Sequence, residues 1–284
     1  MIKNFLALFL SVLGIPGLKA QEKSLLWEIS GKEIQSPSYL YGTIHLVCEQ
    51  DLNISPGIIN AVKSSKVIYL EIDIDDPEMY TKMAPHMMLH GDTTLQMLFG
   101  DDYPKVSRFF SENVSINLEQ VKKFRPFSIM SLIISKLANC KKTTSYENIF
   151  SEMAKQQHKN VEGLETVESQ LEMLNSIPDS SYCRQILATI EELPKQKASF
   201  SRLLDAYKKQ DIDALYQLGM ESPDMKGFED ILLTRRNKNW IPVIEEITKS
   251  QSAFIAVGAM HLGGPQGVIR LLREAGYTVN PVIM

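Results

Sequence analysis

Ala253-Phe-Ile-Ala-Val-Gly258-Ala-Met-His261-Leu-Gly-Gly-Pro265-Gln-Gly-Val-Ile-Arg-Leu-Leu-Arg-Glu-Ala-Gly276-Tyr-Thr-Val279 is the stretch whose reading decides the fold. Its apolar opening ends at Gly258-Ala-Met-His261 and reads as a strand. A Gly/Pro-rich turn follows, and Val268, Ile269, Leu271 and Leu272 then recur at helical spacing until Gly276 stops them. Tyr277 to Ile283 reads as a second strand. The whole is a strand-helix-strand unit with a histidine where its first strand ends.

Working outward, the same design recurs near the other end of the chain. Tyr39-Leu-Tyr-Gly42-Thr-Ile-His45 ends in its own Gly-x-x-His, and Ser55 can cap a helix with Pro56 in its first turn. Lys66-Val-Ile-Tyr-Leu-Glu71 reads as a strand covered on both faces. Leu25–Ser30 and Ser38–Gly42 flank Gly31 and Pro37 as a hairpin leading into this unit. Parallel strands joined by a helix of this length form a βαβ unit.

Between the units, from about Asp75 to Ser250, helix signals dominate. The segments are Glu78–His90, Asp102–Glu112, Phe127–Asn139, Tyr146–Lys159, Val167–Ser176, Ser181–Glu192, Gln196–Lys209 and Glu229–Lys249, the last kinked or split at Pro242. Phe127–Asn139 is the most apolar, but its length and Lys136 make it a core helix. The expected fold is α/β: a central mixed, largely parallel sheet built from N- and C-terminal βαβ units, with a large helical insertion. Residues 21–74 and 251–284 form the sheet and 75–250 the insertion of a single domain spanning 21–284.

The composition is that of a globular protein, with 44% hydrophobic and 23% charged residues in 284. A formal charge of −4 without any basic block argues against nucleic acid as a partner. Met1-Ile-Lys3 followed by Phe5–Leu13 and then Leu18-Lys-Ala20 has the parts of a secretory signal peptide, residues 1–20, cut after Ala20. Gly14, Pro16 and Gly17 break the apolar run short of the roughly 20 residues of a membrane span. The mature chain is therefore expected to be exported, periplasmic or secreted, with no stable membrane span. Cys48, Cys140 and Cys183 match no zinc pattern. Cys140 and Cys183, both between the two units, could pair in an oxidising compartment, with two unbridged thiols as the alternative, and Cys48 reads as a small buried hydrophobe.

Ligands of open parallel sheets bind beyond the carboxyl ends of the strands. His45, Glu71 and His261 fall at three such ends and are expected to converge. Two imidazoles and a carboxylate suit a divalent metal such as zinc, manganese or cobalt, with positions left for water and substrate. Gly42 and Gly258, three residues before each histidine, allow close approach of backbone or substrate. The alternative is a pair of buried histidines bonded to backbone carbonyls. The last unit offers Asn280-Pro281 where its second strand ends, so a single strand-end carboxylate is expected. His86 and His90 lie four apart but lack the Glu of a His-Glu-x-x-His helix, Met79 to Met88 read as adaptable packing, and His158 reads as solvated.

The chain resembles the TraB/GumN family, which includes the TIKI proteins, secreted or membrane-tethered metal-dependent proteases. The resemblance rests on Tyr39-Leu-Tyr-Gly-Thr-Ile-His45-Leu, Leu70-Glu71, Val161-Glu-Gly-Leu-Glu165-Thr, Arg236-Asn237 with Trp240, and Gly258-Ala-Met-His261-Leu-x-Gly-x-x-Gly267 leading to Gly276-Tyr277. It implies an exported hydrolase cutting a peptide or protein substrate, with His45 and His261 as metal ligands and Glu71 as third ligand or base. It further implies Glu165 and Arg236 in the pocket. Glu165 either holds Arg236 through a bidentate pair or stands as a second carboxylate, and Arg236 alternatively binds a substrate carboxylate or a developing oxyanion. The wider superfamily includes esterases of the erythromycin type and haem-binding proteins. A metal-free His/Glu hydrolase and a non-catalytic binder of a peptide or haem-like ligand are therefore the competing expectations.

Overall fold

In the computed structural model, residues 23–138, 140–222 and 225–283 are described. The segment read as a signal peptide lies outside them. The chain opens with β1 (Leu26–Ser30) and β2 (Ser38–Thr43), the expected hairpin, paired antiparallel with Leu26 opposite Tyr41. A two-residue strand β3 (Val47–Cys48) precedes α1 (Pro56–Ser64), whose N-cap Ser55 accepts the Ile58 N–H with Pro56 in the first turn. β4 (Val67–Leu70) completes the unit.

Then come α2 (Met79–Met87), α3 (Leu95–Phe99), α4 (Tyr103–Phe109), α5 (Pro126–Ile134), β5 (Thr143–Thr144), α6 (Tyr146–Gln156), β6 (Val161–Gly163), α7 (Val167–Asn175), α8 (Asp179–Glu191), α9 (Leu193–Lys208), α10 (Ile212–Met220) and α11 (Arg235–Ser250). β7 (Ala253–Gly258), α12 (Val268–Glu274) and β8 (Thr278–Pro281) close the chain.

The central sheet is mixed and largely parallel, in the order β6-β4-β7-β2-β1-β8. β7 runs parallel to both β4 and β2, with Ile255 opposite Tyr69 on one side and Leu40 on the other. The two units therefore interlock: β7 separates the strands of the first, and β2 with β1 separates those of the second. β7 is buried along its length except at Gly258, as a strand covered on both faces must be. Trp27, Ile29, Leu40, Ile68, Phe254 and Val257 share one core with Ile58, Phe150, Trp240, Ile244, Val268 and Leu272 from α1, α6, α11 and α12. A second core lies within the helical segment, where Phe99, Val106, Phe110, Ile129, Ile133 and Ile186 pack together.

Several elements differ from the sequence reading. β6 lies inside the helical segment and forms the sheet edge beside β4, so that segment is not wholly helical. With three residues, β6 is too short to carry a period. α3 and α10 are additional short helices, each capped by a side-chain oxygen, Thr94 and Asp211. α11 stays one helix through Pro242, because its buried stripe of Arg236, Asn237, Trp240, Ile244, Ile247 and Thr248 holds it across the lost hydrogen bond. The irregularity falls earlier, in a π turn at Asp230–Thr234.

The bridge open to Cys140 and Cys183 does not form, and Cys48 is not the unpaired hydrophobe it was read as. Cys48 and Cys140 form the disulfide, with Cα atoms 6.0 Å apart, and Cys183 is a buried free thiol of the helical core. The bond closes a two-stranded ladder in which Val47 faces Thr144 and Cys48 faces Thr143. Burial pushes the Cys183 thiol up to about 12, which keeps it from reacting as a thiolate. Replacing Cys48 by serine is expected to cost about 2–5 kcal/mol, read from urea unfolding midpoints. The Cys183→Ser variant is expected to keep its disulfide in thiol titration.

Candidate active site

Three neighbouring parallel strands, β4, β7 and β2, end side by side, and the residues just beyond them meet. Glu71 follows β4, Gly258 ends β7 with His261 in the turn after it, and Thr43 ends β2 two residues before His45. Glu71 is buried. Its Oε1 accepts the Gly258 backbone N–H at 2.8 Å, and its Oε2 accepts Arg236 Nη2 at 2.5 Å and Gln170 Nε2 at 3.3 Å. Burial works to raise its pKa, but the charge of Arg236 above all, with the neighbouring imidazoles and the Gly258 N–H, outweighs it and holds the carboxyl far below the usual range. A carboxylate so firmly ionised is a poor base and a good anchor for positive charge.

Arg236 reaches the site from the first turn of α11. Its Nε and Nη2 both donate to Glu165 Oε1, at 2.9 and 2.5 Å, so the expected pair forms with both N–H groups on one oxygen instead of a fork over two. The pair is no solvated surface bridge, since the Arg236 and Glu165 side chains are only 10% and 13% exposed. Glu165 stands two residues past the end of β6. The expectation of a single strand-end carboxylate therefore fails through the strand the sequence did not reveal. Asn280-Pro281 ends β8 at the opposite edge of the sheet.

The tautomer of His261 follows from its neighbours. Asn237 Nδ2 donates to the carbonyls of Gln266 and His261, so its Oδ1 must accept the His261 Nδ1–H, at 2.6 Å. Nε2 then bears the lone pair, 3.1 Å from Arg236 Nη1. Burial pushes this imidazole down to about 3, so it is neutral. The Trp240 ring backs both groups, 4.6 Å from the His261 centroid and 4.7 Å from the Arg236 guanidinium carbon.

His45 stands on the rim with its side chain 64% exposed. Its Nδ1 lies 2.8 Å from Glu147 Oε1, an oxygen that also accepts the Thr43 hydroxyl at 2.6 Å. Desolvation of the inner ring edge lowers its pKa, but the Glu147 bond and the charges of Glu147 and Glu71 prevail and lift it to about 9. Nε2 of His45 and Nε2 of His261 lie 3.9 and 3.8 Å from the same atom, Glu71 Oε1. A Cβ on Gly258 would come within 3.3 Å of that oxygen, 3.4 Å of His45 Nε2 and 3.6 Å of His261 Cδ2. The point of convergence is thus the space that Gly258 leaves open.

All five expected site residues, His45, Glu71, Glu165, Arg236 and His261, come together here. Glu147 and Gln170 join them without having been singled out, as do Thr43 and Asn237, which stand in the resembling motifs but were given no role. Asn237 belongs to a quoted motif, but Glu147 sits in the first turn of α6, where acidic residues are common for helix reasons alone. His86 and His90 take no part. His86 is in the last turn of α2, where its carbonyl accepts Asn175 Nδ2, and His90 lies beyond the helix. His158 is exposed in a left-handed turn after α6.

The donor set matches a divalent ion in kind. Both imidazoles hold Nδ1 on a second acceptor and turn Nε2 to the same oxygen, as metal-bound histidines do. Without its proton on Nε2, His45 leaves the carboxylates of Glu71, Glu147 and Glu165 against the single charge of Arg236, an excess that a dication balances. The spacing is wider than coordination, and among the described residues no group of three or more His, Cys, Asp or Glu side chains is drawn together tightly enough to hold a metal. Arg236 Nη1 takes the His261 lone pair meanwhile.

A sequence model described as the TraB/PrgY/gumN family matches residues 25–281. The chain is similar to a protein named metalloprotease TIKI homolog from Amphimedon queenslandica, 23% identical over 318 residues, covering 92% of this chain and 62% of that protein. It is similar to metalloprotease TIKI2 from Danio rerio at 21% identity, covering 90% of this chain and 60% of that one. It is also similar to the uncharacterized protein YbaP from Shigella flexneri at 21% identity, covering 83% of this chain and 88% of that protein. The chain thus spans about 60% of the length of the two metalloproteases. No solved structure matches it.

Proposed function

The chain belongs to the TraB/PrgY/gumN family, and on that footing we propose that it is an exported hydrolase, a metal-dependent peptidase acting on a peptide or protein substrate. The observation that carries this reading is the convergence of His45 Nε2 and His261 Nε2 on Glu71 Oε1 beside a glycine. Those three atoms would hold the divalent ion, manganese, cobalt or zinc, which when bound supplies an acidified water and a polarised carbonyl. The names of the two metalloproteases support the choice of substrate class.

The side chains divide the work. Glu71 stays charged and, clamped by the Gly258 N–H and Arg236, holds one fixed orientation. Asn237 holds His261 in the tautomer that turns its lone pair inward. Arg236 puts a permanent positive charge next to the reacting space, where a tetrahedral oxyanion is stabilised by fixed donors. Export is supported by the Cys48–Cys140 disulfide, a bond that persists in oxidising compartments. Among the described residues no helix is long and apolar enough to cross a membrane.

A specific observation favours a second reading. His45 is oriented by the Glu147 carboxylate in the manner of a catalytic dyad, and with its pKa lifted to about 9 it would serve without any metal as a general acid at neutral pH and as the base toward water only near that value. The test is digestion of a peptide library with added manganese, cobalt or zinc and after exhaustive chelation, with His261→Ala as the blank. The first reading expects activity restored by one metal, a loss of at least about 100-fold in His261→Ala, in keeping with the size of metal-site perturbations, and reduced metal content in His45→Ala and His261→Ala. Full occupancy in both variants would sink the ligand set. Activity that survives chelation but disappears in Glu71→Gln would establish the metal-free reading. Saturable ligand binding without turnover would establish a binding protein.

A further inference from the structure

Glu147 owes its place to two features outside α6. Its helix begins directly after β5, which pairs antiparallel with β3 so that Val47 lies opposite Thr144 and Cys48 opposite Thr143. The Glu49 N–H bonds to the Lys142 carbonyl, and the Cys48–Cys140 disulfide closes the ladder beyond it. Continued past its paired residues, that register sets His45 opposite Tyr146, next to Glu147. Ser145 caps α6 by accepting the Asn148 N–H at 3.1 Å, which fixes where the first helical turn points. The Glu147 side chain is 14% exposed, so its carboxylate is bonded in a largely enclosed position.

A carboxylate only accepts hydrogen bonds. The Thr43 hydroxyl at 2.6 Å and His45 Nδ1 at 2.8 Å are therefore both donors to the same oxygen, Oε1. Thr43 ends β2 and His45 stands two residues beyond it, so this oxygen ties down the backbone exit and the ring together. Nδ1 must carry its proton, and Nε2 is the nitrogen left to face Glu71.

We infer that Glu147 is a positioning residue for His45: its Oε1 fixes the orientation of the imidazole and keeps the proton on Nδ1, and the disulfide-closed β3–β5 ladder holds Glu147 there. The inference rests on the hydrolase reading only for its activity assay. Its spectroscopic test is independent of any substrate.

The experiment compares wild type with Glu147→Gln, which keeps an acceptor oxygen, and Glu147→Leu, which keeps bulk and loses it. Should the leucine variant not fold, Glu147→Ser, too short to reach His45, takes its place. In ¹⁵N-labelled protein the His45 Nδ1–H proton is protected from exchange by its bond and is expected as a downfield one-bond cross-peak. The peak should persist in Glu147→Gln and vanish in Glu147→Leu. In peptide hydrolysis kcat should fall about 10- to 100-fold in Glu147→Leu with KM changed less than about twofold, and Glu147→Gln should recover most of the loss. A protected Nδ1–H peak in Glu147→Leu, or a glutamine variant as impaired as the leucine one, would overturn the assignment. If no peptide is cleaved by wild type, the hydrolase reading fails while the cross-peak still decides the role of Glu147.

Discussion

Replacing Arg236 by methionine is expected to destabilise the protein by about 3–5 kcal/mol, because it leaves buried carboxylates without their cation. Glu71 and Glu165 share that guanidinium, and beyond it Glu71 has the His45 imidazole on the rim, 3.9 Å away. The effect should depend on pH with a definite sign. In wild type the folded Glu71 carboxyl lies far below its ordinary value of 4.5, so it contributes stability above that value and the contribution is lost as pH falls. His261 acts in the same direction. Buried neutral, with its pKa pushed from 6.5 to about 3, it opposes unfolding less and less as pH drops below 6.5, because the unfolded chain takes up a proton that the folded one refuses. Wild-type stability in metal-free buffer should therefore fall steadily from near neutrality towards pH 3. The Arg236→Met variant can neutralise its stranded carboxylates by protonation, so the gap between the two proteins should narrow over the same range. Urea unfolding at pH 7, 5 and 4 measures both curves. A gap that stays constant or widens on acidification would mean that Arg236 does not pair with ionised carboxylates.

Gly258→Ala should abolish activity while sparing the fold. Gly258 has φ −52° and ψ 133°, which any residue adopts, so alanine brings no backbone strain. The added methyl would lie 3.3 Å from Glu71 Oε1 and 3.4 Å from His45 Nε2, at the point on which the site converges. The expected cost in stability is below about 1 kcal/mol, against a loss of at least about 100-fold in kcat/KM, the scale of a displacement near 1 Å in a reacting geometry. Gly42→Ala gives the contrast. Its Cβ would meet Leu262 Cδ1 at 2.7 Å and the Ala259 Cα and Cβ at 3.1 Å, all packing atoms, so about 1–3 kcal/mol of stability should go first. Thermal midpoints and kcat/KM for the two variants decide this. A Gly258→Ala protein of wild-type activity would show that the reaction takes place elsewhere.

These two glycines look alike in sequence, each three residues before a histidine, and only the structure separates them. The two βαβ units, though not their interlocking, were readable because their helices start and stop on strong local signals, Ser55-Pro56 and Gly276, and because strands covered on both faces are unbroken apolar runs. The meeting of His45, Glu71 and His261 followed from strand polarity alone. What escaped the reading depends on pairings with almost no local signature. β6 is three residues long, and its discovery moves Glu165 to a strand end. β3 and β5 are two residues each, yet their register brings Cys140 to Cys48 and Glu147 to His45. Distance along the chain leaves a pairing of Cys140 with Cys183 open and says nothing of Cys48. The bond instead spans a separation of 92 residues, across a contact that no periodicity announces.

The interlocked order of the sheet also sets a timetable for synthesis. β7 fills the slot between β4 and β2, and β8 covers the far side of β1, so a ribosome that has delivered residues up to 250 has made four of the six strands but not the one that joins β4 to β2. Until the last few dozen residues emerge, β2 and β4 each hold an open edge, and the mean distance between partners along the chain makes the closing step slow. Such a chain keeps its sheet unclosed for nearly the whole of its synthesis. It also depends for that time on whatever shields unpaired edges, and a copy that terminates early should aggregate instead of folding in part.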